Sequence, residues 1–277
     1  MLLATVLALA SAVVHAGWNL AIKTSTIDRF IALWGQFLVA ASIGAVALVV
    51  FGGLTWRAWP YALASGVVHI GYVTLLARAY RLGDFSLAYP IARGGGAVLA
   101  ALGGVVVLGD RFSALSWVGL ALAGAGLLSF ARRKAGAGAV AAAAMLAVDI
   151  AIYSVVDARG SRLAVHATYV FGNTVADGFF VSMYGLAAGR AGALAAAART
   201  HWRRIVVNGI ATIVVSTLVL TAVRYAPVGH VSALRESSVV LAAFAGWRLL
   251  GESLGRARIV SSIVVVVGLV VLIIGGG

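Results

Sequence analysis

Cysteine is absent from this chain, which removes disulfide staples and thiolate metal sites and leaves the redox compartment unreadable. Charge is scarce too: 10% of the residues are charged, where a soluble domain carries roughly 25%. Acids are the scarcer kind, 8 Asp and Glu against 21 Lys and Arg. No Gly-x-x-x-x-Gly-Lys-Ser/Thr loop occurs, and Gly136-x-Gly138 neither follows a strand nor extends into a dinucleotide fingerprint. ATP hydrolysis is therefore not expected of this polypeptide, and work on a solute must come from a gradient or a partner. His-Glu-x-x-His, Gly-x-Gly-Asp and Asp-rich lipid-transferase signatures are missing as well. An intramembrane enzyme is thus the weaker alternative, and a non-transporting membrane sensor or assembly partner is a third.

What is present is apolar. The chain is 62% hydrophobic with mean hydropathy +1.06, and a helix needs about 20 mostly apolar residues to span a bilayer. Ten segments qualify: Leu2–Ile22, Phe30–Phe51, Tyr61–Ala79, Ser86–Val107, Phe112–Phe130, Ala139–Val156, Ala164–Ala188, Ile205–Val223, Val228–Leu250 and Ile259–Ile274. They lack the alternation of a membrane barrel, so the expected class is an all-α, multi-pass membrane protein with the lipid bilayer as its solvent. The first segment has no basic residues before it, and Trp18 and Asn19 stand where a small-residue cleavage site would be, so it reads as a retained helix. The net charge of +13 does not point to nucleic acid, because the basic residues are scattered among short loops. Of the nine loops, the odd-numbered, with Arg78 and Arg248 at the segment ends beside them, hold 14 Lys and Arg and the even-numbered 5. By the positive-inside rule the odd loops are cytoplasmic and both termini lie outside. The Gly189–Arg204 loop, Ala-rich with Trp202 and several Arg, reads either as a short surface helix or as a solvated loop.

The chain repeats itself. Arg93 and Arg235 lie 142 residues apart, as do Leu108-Gly109-Asp110 and Leu250-Gly251-Glu252. At that offset Val98, Leu99, Ala100, Ala101 and Gly104 fall on Val240, Leu241, Ala242, Ala243 and Gly246. The halves meet in a basic, Gly-rich stretch at residues 131–138. This divides the chain into residues 1–134, a connector at 135–138, and residues 139–277. Five segments on each side mean that the second half enters the membrane from the opposite face, so two inverted five-helix repeats are expected, a pattern of secondary transporters.

Polar residues inside the apolar segments mark the candidate site. A charge at a helix centre costs about 2.5–3.5 kcal/mol on insertion scales, and Arg93, Asp149, Asp177, Arg235 and Glu236 all lie that deep. They must face a bundle interior or a wet cavity. Helical spacing sorts the polar residues into stripes: His15, Trp18 and Asn19; His69, Tyr72 and Leu76; Ser86, Tyr89 and Arg93; Asp149, Tyr153 and Val156; His166, Asn173 and Asp177; Asn208, Thr212 and Ser216; Ser232, Arg235 and Glu236. The expected chamber is lined by segments 1, 3, 4, 6, 8 and 9, with 5 and 10 outside it. Arg93 and Arg235 recur at one register in both halves, which suits a pair of guanidiniums to an anion, and Trp18, Tyr72, Tyr89 and Tyr153 would form apolar or cation–π walls. Asp149 and Glu236 are the candidate proton carriers. A carboxyl at that depth is drawn toward the neutral acid by desolvation and toward the carboxylate by a nearby guanidinium. Glu236 points away from its neighbour Arg235, so its expected partner is Arg93 or a His across the chamber. Asp177 reads as structural, and the Leu-Gly-acid triplets as turn and capping elements.

These residues resemble the EamA-type branch of the drug/metabolite transporter superfamily. The matches are His15-Ala-Gly-Trp-Asn19 with Lys23, Tyr89-Pro-Ile-Ala-Arg-Gly94, Leu108-Gly109-Asp110 followed by Trp117 and Gly119, and Leu250-Gly251-Glu252. The resemblance implies ten helices in two inverted repeats, a central substrate cavity, and movement of small metabolites, often amino acids or related compounds, usually as export. It implies a cell (inner or plasma) membrane location, no cofactor and no metal; protons as coupling ion and a homodimer are the open partner expectations. Two departures stand out. The family commonly carries a Pro in the ninth helix, where this chain reads Leu234-Arg-Glu-Ser-Ser238. It also generally keeps both termini in the cytoplasm, the reverse of what the loop charges say.

Overall fold

The structure is a computed structural model that describes residues 1–23, 27–82, 85–129, 136–165, 168–238, 240–241 and 256–275; side chains at 18–23, 80, 85–90 and 256–258 are outside the description. Among the described residues all regular structure is helical. That is the physical expectation for long apolar runs, since a helix satisfies every backbone N–H and C=O within its own segment. The helices are α1 (Leu2–Lys23), α2 (Arg29–Val50), α3 (Trp59–Leu82), α4 (Phe85–Gly103), α5 (Ala114–Ser129), α6 (Ala137–Leu163), α7 (Tyr169–Ala187), α8 (Ala191–Ala222), α9 (Val228–Arg235) and α10 (Arg256–Gly275). Among the described residues five spans are long and apolar enough to cross a membrane: Arg29–Val50, Trp59–Ala79, Ile91–Leu108, Ala137–Leu163 and Ala191–Ala222. Leu2–Gly17, Ala114–Ser129 and Ile259–Gly275 are shorter apolar helices.

Several boundaries depart from the hydropathy reading. α6 does not stop at Val156 but continues to Leu163, carrying Asp157 into the bundle. A polar residue ends a hydropathy run without ending a helix, because its side chain can find partners inside the protein. α7 begins at Tyr169 rather than Ala164. α8 starts early, at Ala191, and bends at His201, whose backbone leaves the helical region (φ −128°, ψ 21°). The loop expected at Gly189–Arg204 is therefore largely helical. The ninth segment is the main correction. It is interrupted at Glu236: α9 ends at Arg235 after eight residues, Glu236 forms a turn whose N–H donates to Ala233 O at 3.0 Å, and residues 237–238 and 240–241 are helical again. Residues 242–250 and the Leu250-Gly251-Glu252 triplet lie outside the described residues.

The packing falls into an inner group and an outer pair. α5 and α10 lie against each other, and their interface is built on small residues. A Cβ on Gly268 would sit 2.8 Å from Gly119 O, so glycine sets how closely these backbones approach. Ser129 Oγ and Ser261 Oγ join the two helices at 2.6 Å. The inner helices pack as α1 on α8 and α9, α6 on α3 and α4, α2 on α7 and α8, α3 on α7, and α4 on α5 and α9. Advancing each label by five turns the pair α1·α8 into α6·α3, α1·α9 into α6·α4, and α2·α8 into α7·α3. The pairs α2·α7, α4·α9 and α5·α10 map onto themselves.

One end of the bundle is tied by a polar clamp. α4 runs on through a π-helical turn at Gly104–Leu108 into Gly109, which closes it in the left-handed region at φ 71°, open to glycine at no steric cost. Asp110 then spans three elements. Its Oδ1 pairs with Arg162 Nη1 of α6 at 2.7 Å, and its Oδ2 accepts the Val228 N–H at the start of α9 at 2.8 Å. Arg162 also donates to Val223 O and Ala226 O, at 2.9 and 3.2 Å. The Leu108-Gly109-Asp110 triplet is a turn and cap, as its position at a helix end suggests.

Candidate functional site

A cavity of about 100 Å³ lies inside the inner helices. α1 contributes His15, α2 Gln36 and Phe37, α3 His69 and Tyr72, α6 Tyr153, Ser154 and Asp157. α7 adds Asn173 and Asp177, α8 a strip including Thr212 and Ser216, and α9 Val228, Ser232 and Arg235. Helices from before and after the connector thus share one chamber, and α5 and α10 take no part in lining it. Two walls differ from the sequence expectation. α2 and α7 line the chamber, and of α4 no side chain described, from Ile91 on, does so.

Arg93, the α4 residue expected on the wall, is turned elsewhere. Its guanidinium is turned onto Glu236, Nε donating to Oε2 at 3.1 Å and Nη2 lying 2.8 Å from Oε1. The two side chains are almost wholly buried, with residue exposures of 4% and 3%. The contact is thus one hydrogen bond, through Nε, and a second close approach of opposite charges at Nη2. The expected pairing of Glu236 across the bundle is present, and it leaves Arg93 off the cavity wall. Arg235 is the member of the repeated pair that faces the cavity, and its Nε has no hydrogen-bond partner among the described residues.

The opposite chemistry gathers on α3, α6 and α7. Asp157 Oδ1 accepts from Tyr169 OH at 3.0 Å and from Asn173 Nδ2 at 3.2 Å. His69 Nδ1 lies 3.0 Å from Ser65 O and 3.2 Å from Asp177 Oδ1. Both neighbours are acceptors, so Nδ1 is the nitrogen that carries hydrogen. Rings close around this group: His69 stands 4.7 Å from Tyr153 and 5.7 Å from both Tyr72 and Phe37, centroid to centroid. Asp177, read from sequence as structural, is therefore a wall residue beside His69.

Of the other sequence-predicted site residues, His15, His69, Tyr72, Tyr153 and Arg235 are brought together on the cavity. Asp149 is not. It is half-buried against Gly71 of α3, and its Oδ2 has no partner among the described residues. One helical turn separates it from Tyr153, but α3 packs over that part of α6. The side chains of Trp18, Asn19, Ser86 and Tyr89, and the whole of His166, lie outside the description. Sequence reasoning missed Gln36, Asp157 and the role of Asp177. For Asp157 a signal was available: at the 142-residue offset it falls on His15, so the first helix of each half carries a titratable side chain at the same register, and both line the cavity. Gln36 gave none, being one polar residue in an apolar run. Among the described residues no cluster of His, Asp and Glu is arranged to hold a metal ion.

Comparison with known proteins gives three findings. Residues 137–274 match the EamA-like transporter family. The chain is similar to a protein of solved crystal structure at 19% identity, over 98% of this chain and 98% of that one, with a TM-score of 0.76. At that identity the likeness concerns the fold. No curated protein matches the sequence.

Proposed function

Because residues 137–274 belong to the EamA-like transporter family, part of the drug/metabolite transporter superfamily, we propose that the chain is a secondary carrier. It moves a small anionic or zwitterionic metabolite, such as an amino acid, across the cell membrane, as an exporter, by alternating access. The observation that carries this reading is the shared chamber, in which Arg235 from the second half meets His15 and His69 from the first on walls that mix polar and apolar side chains. Such residues are costly at bilayer depth unless they serve a path. Ten helices in two inverted repeats are the architecture proposed for it. The five-step regularity of the helix pairs supports that reading, as does the register shared by Arg93 and Arg235.

In this mechanism Arg235 meets the substrate's negative group, with Tyr72 and Tyr153 as flanking walls. Arg93 and Glu236 couple α4 to α9, so the two helices move as a unit about the broken end of α9. At about 100 Å³ the chamber falls short of the roughly 300 Å³ at which ligand pockets begin, so loading requires the walls to part. Protons are the proposed coupling ion, carried by Glu236 or Asp149.

The test is uptake and efflux of candidate solutes by proteoliposomes holding the whole protein, with and without a proton gradient. Saturable movement that the gradient accelerates supports a proton-linked carrier. Movement no faster than in protein-free vesicles for every solute, from a protein that unfolds cooperatively, overturns the carrier reading.

A further inference from the structure

Buried polar atoms almost always find partners in folded proteins, and each exception asks for an explanation. Four lie on the walls of this one chamber: Gln36 Oε1, Ser154 Oγ, Asp177 Oδ1 and Arg235 Nε have no hydrogen-bond partner among the described residues. They are sorted by sign. The donor, Arg235 Nε, is on α9, which packs on α1 and α4; the acceptors Gln36 and Asp177 are on α2 and α7, which pack on each other. Both of these acceptors line the one chamber, from two helices that approach closely where a Cβ on Gly178 would lie 2.9 Å from Phe37 O. Gln36 and Asp177 are 2% and 3% exposed, so bulk water does not serve them.

His69 does not use up the acid. Its Nδ1 is already engaged by Ser65 O at 3.0 Å, and Asp177 Oδ1, though 3.2 Å away, is outside hydrogen-bonding direction. The rings of Phe37, Tyr72 and Tyr153 gather around His69, whose Nδ1 lies 3.2 Å from the carboxylate, and all line the same chamber; aromatic faces attract cations. We infer that Asp177 and Gln36, with this ring cluster, form a subsite for a substituted ammonium group, so that the substrate carries a positive nitrogen at one end and its anionic group, at Arg235, at the other. The inference rests on the carrier reading for its biological meaning, and it narrows an anionic or zwitterionic substrate to one that carries an ammonium group, with Asp177 and Gln36 as the residues that read it. A carboxylate and an amide oxygen facing an ammonium supply charge-assisted hydrogen bonds. A plain anion would leave those acceptors unpaired and add repulsion, which is how a site rejects the wrong ligand.

The experiment measures binding to the detergent-solubilised whole protein by ligand-detected NMR and thermal shift. Its probes are four compounds of one carbon skeleton: L-leucine, isoamylamine, isocaproate and isoamyl alcohol, which carry both charges, the ammonium, the carboxylate and neither. Isoamylamine is expected to bind more tightly than isoamyl alcohol, and Asp177→Asn to weaken it roughly tenfold or more while leaving isocaproate within about twofold. Arg235→Gln is expected to do the reverse. Gln36→Met gives a second reading should Asp177→Asn not fold, with a smaller loss confined to the two amine-bearing probes. Equal binding of amine and alcohol to the wild type, no binding of any probe, or loss of both singly charged probes together in Asp177→Asn overturns the inference. The carrier reading fails separately: selective amine binding without transport in vesicles would keep the subsite and remove the carrier, whereas transport of isocaproate with no ammonium preference would do the opposite.

Discussion

Arg93 and Arg235 occupy the same register of a repeated sequence, yet one is closed off and the other is left open. Arg93 is nearly fully buried and held at two points by Glu236. Arg235 faces a cavity with an unpaired Nε. The cause is one position. Glu236 supplies the acid for Arg93; its counterpart in the first half, 142 residues earlier, is Gly94, which offers Arg235 nothing. Gly94 has also been filled from outside, for a Cβ there would meet Leu127 Cβ at 2.8 Å. A difference at one position of the 142-residue repeat thus separates a buried ion pair from an arginine whose Nε faces the cavity unpaired.

The largest effect expected is from breaking the closed side. Glu236→Leu removes the Glu236 carboxylate from a buried guanidinium and should cost about 3–5 kcal/mol of unfolding free energy, because the charge loses this ion pair but not its burial. Adding Arg93→Met should recover most of it. The check is a denaturant or thermal unfolding series of both variants and the double in one detergent. A single variant as stable as wild type would show that Arg93 is served elsewhere and would dissolve the comparison.

Next in size is the packing that keeps Gly94 small. Gly94→Ala should destabilise by about 1–3 kcal/mol through overpacking on Leu127, and Leu127→Ala in the same chain should relieve part of that loss. The Leu127 contact is at Cβ, so a rotamer change cannot make room. Additive losses in the double variant would mean that the two positions do not share the space.

The open side should respond in function rather than stability. Arg235→Lys keeps the charge and loses the planar fork, so transport should fall roughly tenfold, near 1.4 kcal/mol, while the unfolding midpoint holds. Arg93→Lys should show the reverse balance, with the midpoint dropping and transport lowered only as far as folded protein is lost. Transport kinetics scaled to folded protein, measured side by side, decide this. Equal behaviour of the two variants would put both arginines in one role, as the repeat alone suggests.

That expectation marks how far the sequence could be read. Hydropathy located the helices, because burying backbone groups in lipid leaves little other choice, and the 142-residue offset located the two arginines. It could not tell them apart, since pairing depends on which side chain of α9 reaches α4, and a turn at Glu236 decides that. The same turn lies where the family commonly has a proline, so the sequence departure at Leu234–Ser238 was visible while its backbone consequence was not. Stripes drawn from helical spacing found His15, His69, Tyr72 and Tyr153 together, but placed Asp149 with them. Spacing gives a face within one helix and says nothing of which neighbour covers it; α3 covers Asp149 at Gly71. Asp177 was undervalued because it has no counterpart in the first half, a reason that holds only if both halves do the same work.

The smallest expected effect on stability tests the proton step and with it the last symmetry between the halves. Glu236 and Asp149 are the two proposed carriers, and their settings differ: one carboxylate is met at two points by Arg93, the other has an unpartnered oxygen beside Gly71. A carboxyl that trades protons must be able to lose its cation or to stand without one, and Asp149 already stands without one among the described residues. Asp149→Asn keeps size and removes only the charge, so it should shift stability by no more than about 0.5 kcal/mol. If Asp149 carries the proton, this variant loses gradient-driven accumulation while exchange of labelled for unlabelled substrate continues at the wild-type rate. Glu236→Gln gives that same pattern if the proton moves through the arginine pair instead, after correction for the protein it fails to fold. Gradient-driven accumulation surviving in both variants would refute proton carriage by either acid, and would leave the Arg93–Glu236 contact as a fastening between α4 and α9 with no part in coupling.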